Sequence, residues 1–157
     1  MRVDEFMNAE VRTVKPDDSA EGALSWMQRE RIHHLVVMDG GRVVGVLSER
    51  DLGGRGPRGS ALRKGGTVAD LMTPTVVFAS PDTTLRQAAN LLRGRSIGCL
   101  PVLRDGRKLV GILTVTDILE LIGRGNLRPP TPGTRWKPVR RSAKFPRAAA
   151  LLEPARH

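Results

Sequence analysis

Apolar positions along this chain follow two rhythms, one of strands and one of helices, and the chain runs through both twice. In the first pass a short stretch at about 11–14 predicts a strand, and Pro16-Asp17 then turns toward a helix that Ser19 can cap. Ala20, Ala23, Leu24 and Met27 recur at helical spacing, so one face of that helix is core. Residues 34–38 follow as an apolar strand, Asp39-Gly40-Gly41 as a turn, and a second strand leads into a short helix. The second pass repeats the order. It has a strand at about 76–79, Pro81-Asp82, a cap at Thr83, and a helix with Leu85, Ala88, Ala89 and Leu92 on its core face. A strand at 99–103 and a turn at Asp105-Gly106 complete the match.

The two passes align residue on residue. Positions 3–52 lie over 68–118 at an offset of 65, which becomes 66 after one insertion. Phe6-Met7 faces Leu71-Met72, Ile32 faces Ile97, Leu35 faces Leu100, and Val44-Gly45 faces Val110-Gly111. Each copy is a β-α-β-β-α unit of about 50 residues, too small to bury both faces of its own sheet, so the two are expected to pack on each other. The fold class is therefore α/β (α+β), built from two such motifs.

Composition changes this picture at two places. Residues 54–66 carry glycine at both ends, four basic residues and no acid, and read as a linker. Beyond about residue 123 the hydrophobic pattern stops. Asn126-Leu127-Arg128-Pro129-Pro130-Thr131-Pro132-Gly133 suits neither a helix nor a central strand, and residues 148–152 predict no more than a weak helix. The formal charge of +10 belongs mainly to this tail: residues 1–123 hold 17 Lys/Arg against 15 Asp/Glu, while 124–157 hold 9 against 1. The expected organisation is thus a first motif at 1–53, a linker at 54–66, a second motif at 67–123 and a flexible basic tail at 124–157. No apolar run approaches the roughly 20 residues of a membrane span. The start Met1-Arg2-Val3-Asp4-Glu5 does not read as a signal peptide, and a single cysteine, Cys99, permits neither an internal disulfide nor a cysteine zinc cluster. A cytoplasmic protein in a reducing compartment is the expectation.

The chemistry sits where each copy ends. Gly45-Val46-Leu47-Ser48-Glu49-Arg50-Asp51 and Gly111-Ile112-Leu113-Thr114-Val115-Thr116-Asp117 share a glycine, two apolar positions, a hydroxyl and an aspartate at identical spacing. Two readings are open. Ser48 and Thr114 with an acid three residues on resemble capping boxes, worth on the order of 1 kcal/mol to a helix. Alternatively, an acceptor-only carboxylate suits the two hydroxyls of a ribose, and a hydroxyl with free backbone N–H groups beside it suits phosphate. The two are compatible. Candidate cations for a phosphate are His33, His34, Arg50, Arg55, Arg58, Arg63 and Lys64. Strand alternation would send His33 and His34 to opposite faces, against a shared metal site; the two readings left are one ring lining the cleft near a phosphate and an ordinary surface or strand-end histidine. Cys99 reads as a small core residue rather than a redox sensor, and Trp26 as core edge or dimer contact. The tail is either a solvated extension or a cationic segment for nucleic acid, an acidic partner or lipid headgroups.

Two units that each end Gly-apolar-x-Ser/Thr-x-x-Asp resemble the CBS-domain family, and the pair resembles a Bateman module over residues 1–123. Phe6-Met7, Leu71-Met72-Thr73-Pro74, Ile97-Gly98-Cys99-Leu100-Pro101-Val102 and Ile32-His33-His34-Leu35-Val36-Val37 extend the likeness, with Val36 where proline is common. The resemblance implies two clefts between units related by pseudo-twofold symmetry, taking adenosine derivatives such as AMP, ADP, ATP or S-adenosylmethionine. It groups Ser48 and Asp51 with the stretch around Pro74 and with Ile97 and Gly98. It groups Thr114, Thr116 and Asp117 with the stretch around Ala9 and with Ile32 and His33. It further implies a regulatory role and a homodimer, with a regulated protein partner expected; because the sequence shows no nucleophile–base pair, metal cluster or Walker-type loop, no catalytic residues and no required cofactor are expected. The competing reading is a scaffolding or nucleic-acid-associated protein that acts through its cationic tail with empty clefts.

Overall fold

A computed structural model describes residues 1–53, 59–60 and 63–124 of the chain. The expected tail from 125 onward, including the segment 148–152, lies outside the described residues, as do linker positions 54–58 and 61–62 with Arg55 and Arg58. After a 3-10 turn at Val3–Glu5, the first unit comprises β1 (Thr13–Val14), α1 (Ala20–Glu30), β2 (His34–Asp39) and β3 (Arg42–Ser48). The second comprises α2 (Val68–Leu71), α3 (Leu85–Arg95), β4 (Cys99–Arg104), β5 (Lys108–Thr114) and α4 (Val115–Gly123). Among the described residues no helix is long and apolar enough to cross a membrane.

Local chemistry sets these boundaries. Ser19 caps α1, its hydroxyl accepting from the Gly22 N–H at 3.2 Å. In the second unit the cap is Thr84, not the expected Thr83. Thr84 shares a reciprocal capping box with Gln87, whereas the Thr83 hydroxyl accepts from the Ser80 N–H at 2.9 Å inside the preceding turn. Both helices end on a left-handed residue, Arg31 at φ 56° and Ser96 at φ 52°. The amides of Ile32 and Ile97 then reach back to the Met27 and Leu92 carbonyls, each at 3.0 Å, and deliver both isoleucines to the core.

In the first unit β1 lies parallel to β2, which forms an antiparallel hairpin with β3 across Gly40-Gly41. In the second the β4–β5 hairpin has a turn one residue longer, Asp105-Gly106-Arg107, which accounts for the change in repeat offset. The strand expected at 76–79 contracts to a single parallel bridge, Ala79 to Val102. The short helix expected after Ser48 is also absent among the described residues. There the chain makes one turn over 49–53, stopped by Gly53 at φ +73°, whereas α4 runs on from the same position in the second copy.

The units exchange their first turns. Val3, Phe6 and Met7 pack with α3, β4 and β5 in the second core, while Val68, Leu71 and Met72 pack with α1, β2 and β3 in the first. The backbone bonds mirror one another. Val3 donates to the Thr83 carbonyl as Val68 donates to that of Asp18, and Asp4 to Pro81 as Ala69 to Pro16. Each lead-in then bridges the other unit's hairpin, Asn8 with Ile112 and Thr73 with Val46. Gly111 and Gly45 make this possible. A β-carbon at Gly111 would collide with Met7 Sδ, and one at Gly45 would lie 2.5 Å from Met72 Sδ. A third cluster of Val36, Cys99 and Ile112 joins the two sheets.

Candidate functional site

The exchange determines what each aspartate faces. Because Thr73 is bonded to β3, the chain from Thr73 to Val77 runs past the end of the strand that closes on Ser48 and leads into the Asp51 turn. These two residues are locked together: the Ser48 N–H donates to Asp51 Oδ2 at 2.8 Å, and the Asp51 N–H donates to Ser48 Oγ at 3.1 Å. The capping geometry is thus present even though only a turn follows. With both described bonds of the box using Oδ2 and Oγ, Oδ1 of Asp51 is left to accept from another donor.

Asp51 opens on a cavity of about 540 Å³ between the units. That size falls within the roughly 300–1,000 Å³ usual for small-molecule sites. Ser48, Val46, His33 and His34 line it from the first unit, and Thr75, Val77, Ile97 and Gly98 from the second. Pro74 itself is exposed and lies between the lining residues Thr73 and Thr75. His33, which the resemblance groups with Asp117, stands on the Asp51 side instead. It precedes β2 in a bend, so strand alternation does not separate it from His34, and both rings reach the same cavity.

One charge pair stands in this cavity among the described residues. His33 Nδ1 lies 2.8 Å from Glu49 Oε2. The His34 ring lies over Gly98, where a β-carbon would come within 2.6 Å of Nε2, so the absence of a side chain there is what admits the imidazole. Burial lowers the His34 pKa, neighbouring His33 lowers it further, and Asp51 opposes both. Burial likewise pushes the Cys99 thiol up to about 12, so at neutral pH it is a protonated wall residue. Arg50 is an exposed cation at the rim. Arg63 is occupied elsewhere, buried against Glu21 and the Leu52 carbonyl, and Lys64 is exposed and outside the cavity wall.

The second aspartate has a matching cradle. The Thr114 N–H and Oγ1 donate to Asp117 Oδ2 at 2.7 and 2.8 Å, and the Asp117 N–H returns a bond to Thr114 Oγ1 at 3.2 Å. Burial raises the Asp117 pKa against the lowering effect of these bonds. The Asn8–Ile112 bridge sets Ala9 alongside β5, on the strand that ends at Thr114, and Thr116 and Ala9 are both exposed. Ile32 is packed against the first core. Sequence reasoning passed over Glu49 as the partner of His33 and Cys99 as a cavity wall. The pairing of Thr73 with Val46 leaves no local signal in the sequence. No group of three or more His, Cys, Asp or Glu suited to a metal ion occurs among the described residues.

Comparison with known proteins gives three kinds of match. A family model described as CBS domain matches residues 3–52 and 68–124. An inosine-5′-monophosphate dehydrogenase of Methanocaldococcus jannaschii is 33% identical over 121 residues, covering 76% of this chain and 23% of that protein. The chain thus spans about a quarter of the length of that relative. Among solved structures, a CBS domain pair in complex with 5′-methylthioadenosine and S-adenosyl-L-methionine superposes with a TM-score of 0.71 at 25% identity, covering 80% of this chain and 98% of that one. CBSX2 of Arabidopsis thaliana in complex with AMP superposes with a TM-score of 0.67 at 32% identity, covering 78% and 96%.

Proposed function

The chain belongs to the CBS-domain family and carries the domain twice; on that premise we propose that it is a regulatory module that binds an adenosine-containing ligand, AMP, ADP, ATP or S-adenosylmethionine, between its two repeats. One observation carries the reading. Asp51, pre-oriented by Ser48, opens on an inter-unit cavity walled by Ile97, Gly98 and Val77. In this role Oδ1 accepts from the ribose hydroxyls while Oδ2 is held by the backbone, so the carboxylate need not reorient on binding. Val46, Val77 and Ile97 offer the apolar surface for a base, and Arg50 and His33 the positive charge for a phosphate. Thr114, Thr116 and Asp117 form the second cleft with the stretch around Ala9.

Binding can shift the protein's conformation only through a difference in affinity between two states. A ligand that touches both units is suited to this, because each unit's first turn is lodged in the other's core. The output passes to a second copy and to a regulated protein partner. Val115, Leu119 and Ile122, at 38%, 61% and 59% exposure, form an apolar stripe on α4 that supports a homodimer. The role is binding rather than catalysis, without a resident cofactor, and a protonated buried Cys99 suits the reducing cytoplasm.

A thermal-shift screen with AMP, ADP, ATP, S-adenosylmethionine and NADH tests the proposal. The reading predicts that at least one adenosine ligand raises the melting temperature, and that Asp51→Ala and Asp117→Ala together remove the shift. No shift with any of them sinks it. Salt-sensitive nucleic-acid binding that disappears when residues 125–157 are deleted would favour the cationic-tail reading instead.

A further inference from the structure

The two aspartates are cradled alike, but the chain beyond them differs. After Asp117, α4 continues to Gly123, and carbonyls of its first turn meet amides one turn on. After Asp51 the backbone closes a single turn, with Leu52 N–H on the Ser48 carbonyl and Gly53 N–H on that of Arg50, and Gly53 then leaves it in the left-handed region. The carbonyl of the fully buried Leu52 is met by a side chain: Arg63 Nη1 donates to it at 2.6 Å. The Arg63 Nε donates to Glu21 Oε1 on α1 at 3.1 Å, and the residue is only 5% exposed. Gly59 closes the arrangement. A β-carbon there would run into the Gly53 carbonyl and come within 2.8 Å of Arg63 Nη1, so the backbone at Gly59 is pressed against the end of the turn.

We propose that Arg63 is a positioning residue for Asp51, a buried guanidinium that replaces the helix found after Asp117 and ties the Asp51 turn to α1. The residue type follows from the geometry. Two donors of one planar fork must reach a carbonyl and a carboxylate at once, which a lysine ammonium on a flexible stem does not reproduce. A composition reading that takes 54–66 as a linker has no place for such a residue, since the partner carboxylate lies 42 positions away. The consequence for ligand affinity rests on the nucleotide-binding reading above; the consequence for the turn does not.

The test uses the full chain and two readouts. Amide exchange without ligand compares Asp51, Leu52 and Gly53 with Asp117, Ile118 and Leu119 in Arg63→Met, Arg63→Lys and Glu21→Gln proteins. AMP affinity is then measured with Arg63→Met placed in an Asp117→Asn background, which leaves the first cleft, and in an Asp51→Asn background, which leaves the second. Exchange should rise at least about tenfold at the first turn alone, and affinity should fall about tenfold in the first background and not in the second. Equal exchange at both turns, no change at either, or local exchange with unaltered first-cleft affinity overturns the assignment. Should Arg63→Met fail to fold, the Lys and Gln variants carry the same comparison. If wild-type protein binds no AMP in either cleft, the nucleotide reading suffers, while the exchange arm still decides the role of Arg63 in the turn.

Discussion

Replacing Gly111 with alanine sets two effects of opposite sign against each other. Gly111 lies inside β5 with an ordinary strand backbone, so a β-carbon by itself should stabilise by roughly 0.5–1 kcal/mol through lower unfolded-state entropy. The same β-carbon, however, would meet Met7 Sδ, approach Met7 Cγ to 2.9 Å and the Asn8 carbonyl to 3.2 Å. Met7 is half-buried against the second core and gives way only by losing part of that packing, and Asn8 only by loosening its two bonds to Ile112, both at 2.9 Å. Overpacking of this kind costs about 1–3 kcal/mol, so a net loss of about 1–2 kcal/mol is expected. Urea denaturation of Gly111→Ala, Met7→Ala and the double variant measures it. In the Met7→Ala background the collision with the methionine side chain is gone and only the 3.2 Å approach to the Asn8 carbonyl remains, so the Gly111→Ala change should become close to neutral, giving a coupling of at least about 1 kcal/mol. Stabilisation in the wild-type background, or an equal penalty with and without Met7, would refute the exchange of first turns as the reason for the glycine.

Three further outcomes follow from the same structure. His34 has a pKa below its unfolded value, so its contribution to stability is complete above the unfolded pKa, near 6.5, and is lost as pH falls through the folded one. The melting temperature should therefore drop on acidification below about pH 6.5, and His34→Gln should flatten that limb; an unchanged profile counts against the buried ring. Asp117 is raised by burial, so ionisation at neutral pH is a cost to the fold that disappears only below the unfolded pKa. Asp117→Asn should accordingly raise the melting temperature of ligand-free protein at pH 7 while weakening ligand binding, and a lowered melting temperature would count against this. Ser96 holds a left-handed conformation that costs an L-residue about 1–2 kcal/mol, partly recovered by glycine, so Ser96→Gly should stabilise by about 0.5–1 kcal/mol in urea titrations.

What the sequence disclosed was periodic or local. Strand and helix rhythms, the hairpin turns and the repeat offset are all visible in neighbouring residues. The Thr84 cap was visible too, since only Thr84, and not Thr83, has Gln87 three positions on. The exchanged first turns were not: nothing within residues 3–7 says that their core partners are α3 and β5 rather than α1 and β3. That exchange explains why Asp51 faces Thr75 and Val77, and it rests on pairings such as Thr73 with Val46 that strand patterning cannot specify. His33 lines the Asp51 cavity although the resemblance groups it with Asp117, and its ring shares that cavity with His34 because alternation does not apply to a residue in a bend, outside the strand. Arg63 was submerged in a glycine- and arginine-rich stretch, where burial depends on Glu21 far away in the chain.

The central claim is that the two repeats together form ligand clefts in which Asp51 and Asp117 each take a ribose. Isothermal titration with AMP and with S-adenosylmethionine, on wild-type protein and on Asp51→Asn, Asp117→Asn and the double variant, tests it directly. Saturable binding by the wild type is expected, with a partial loss in each single variant and none remaining in the double. Undiminished binding in the double variant, or no binding of either ligand by the wild type, would contradict it.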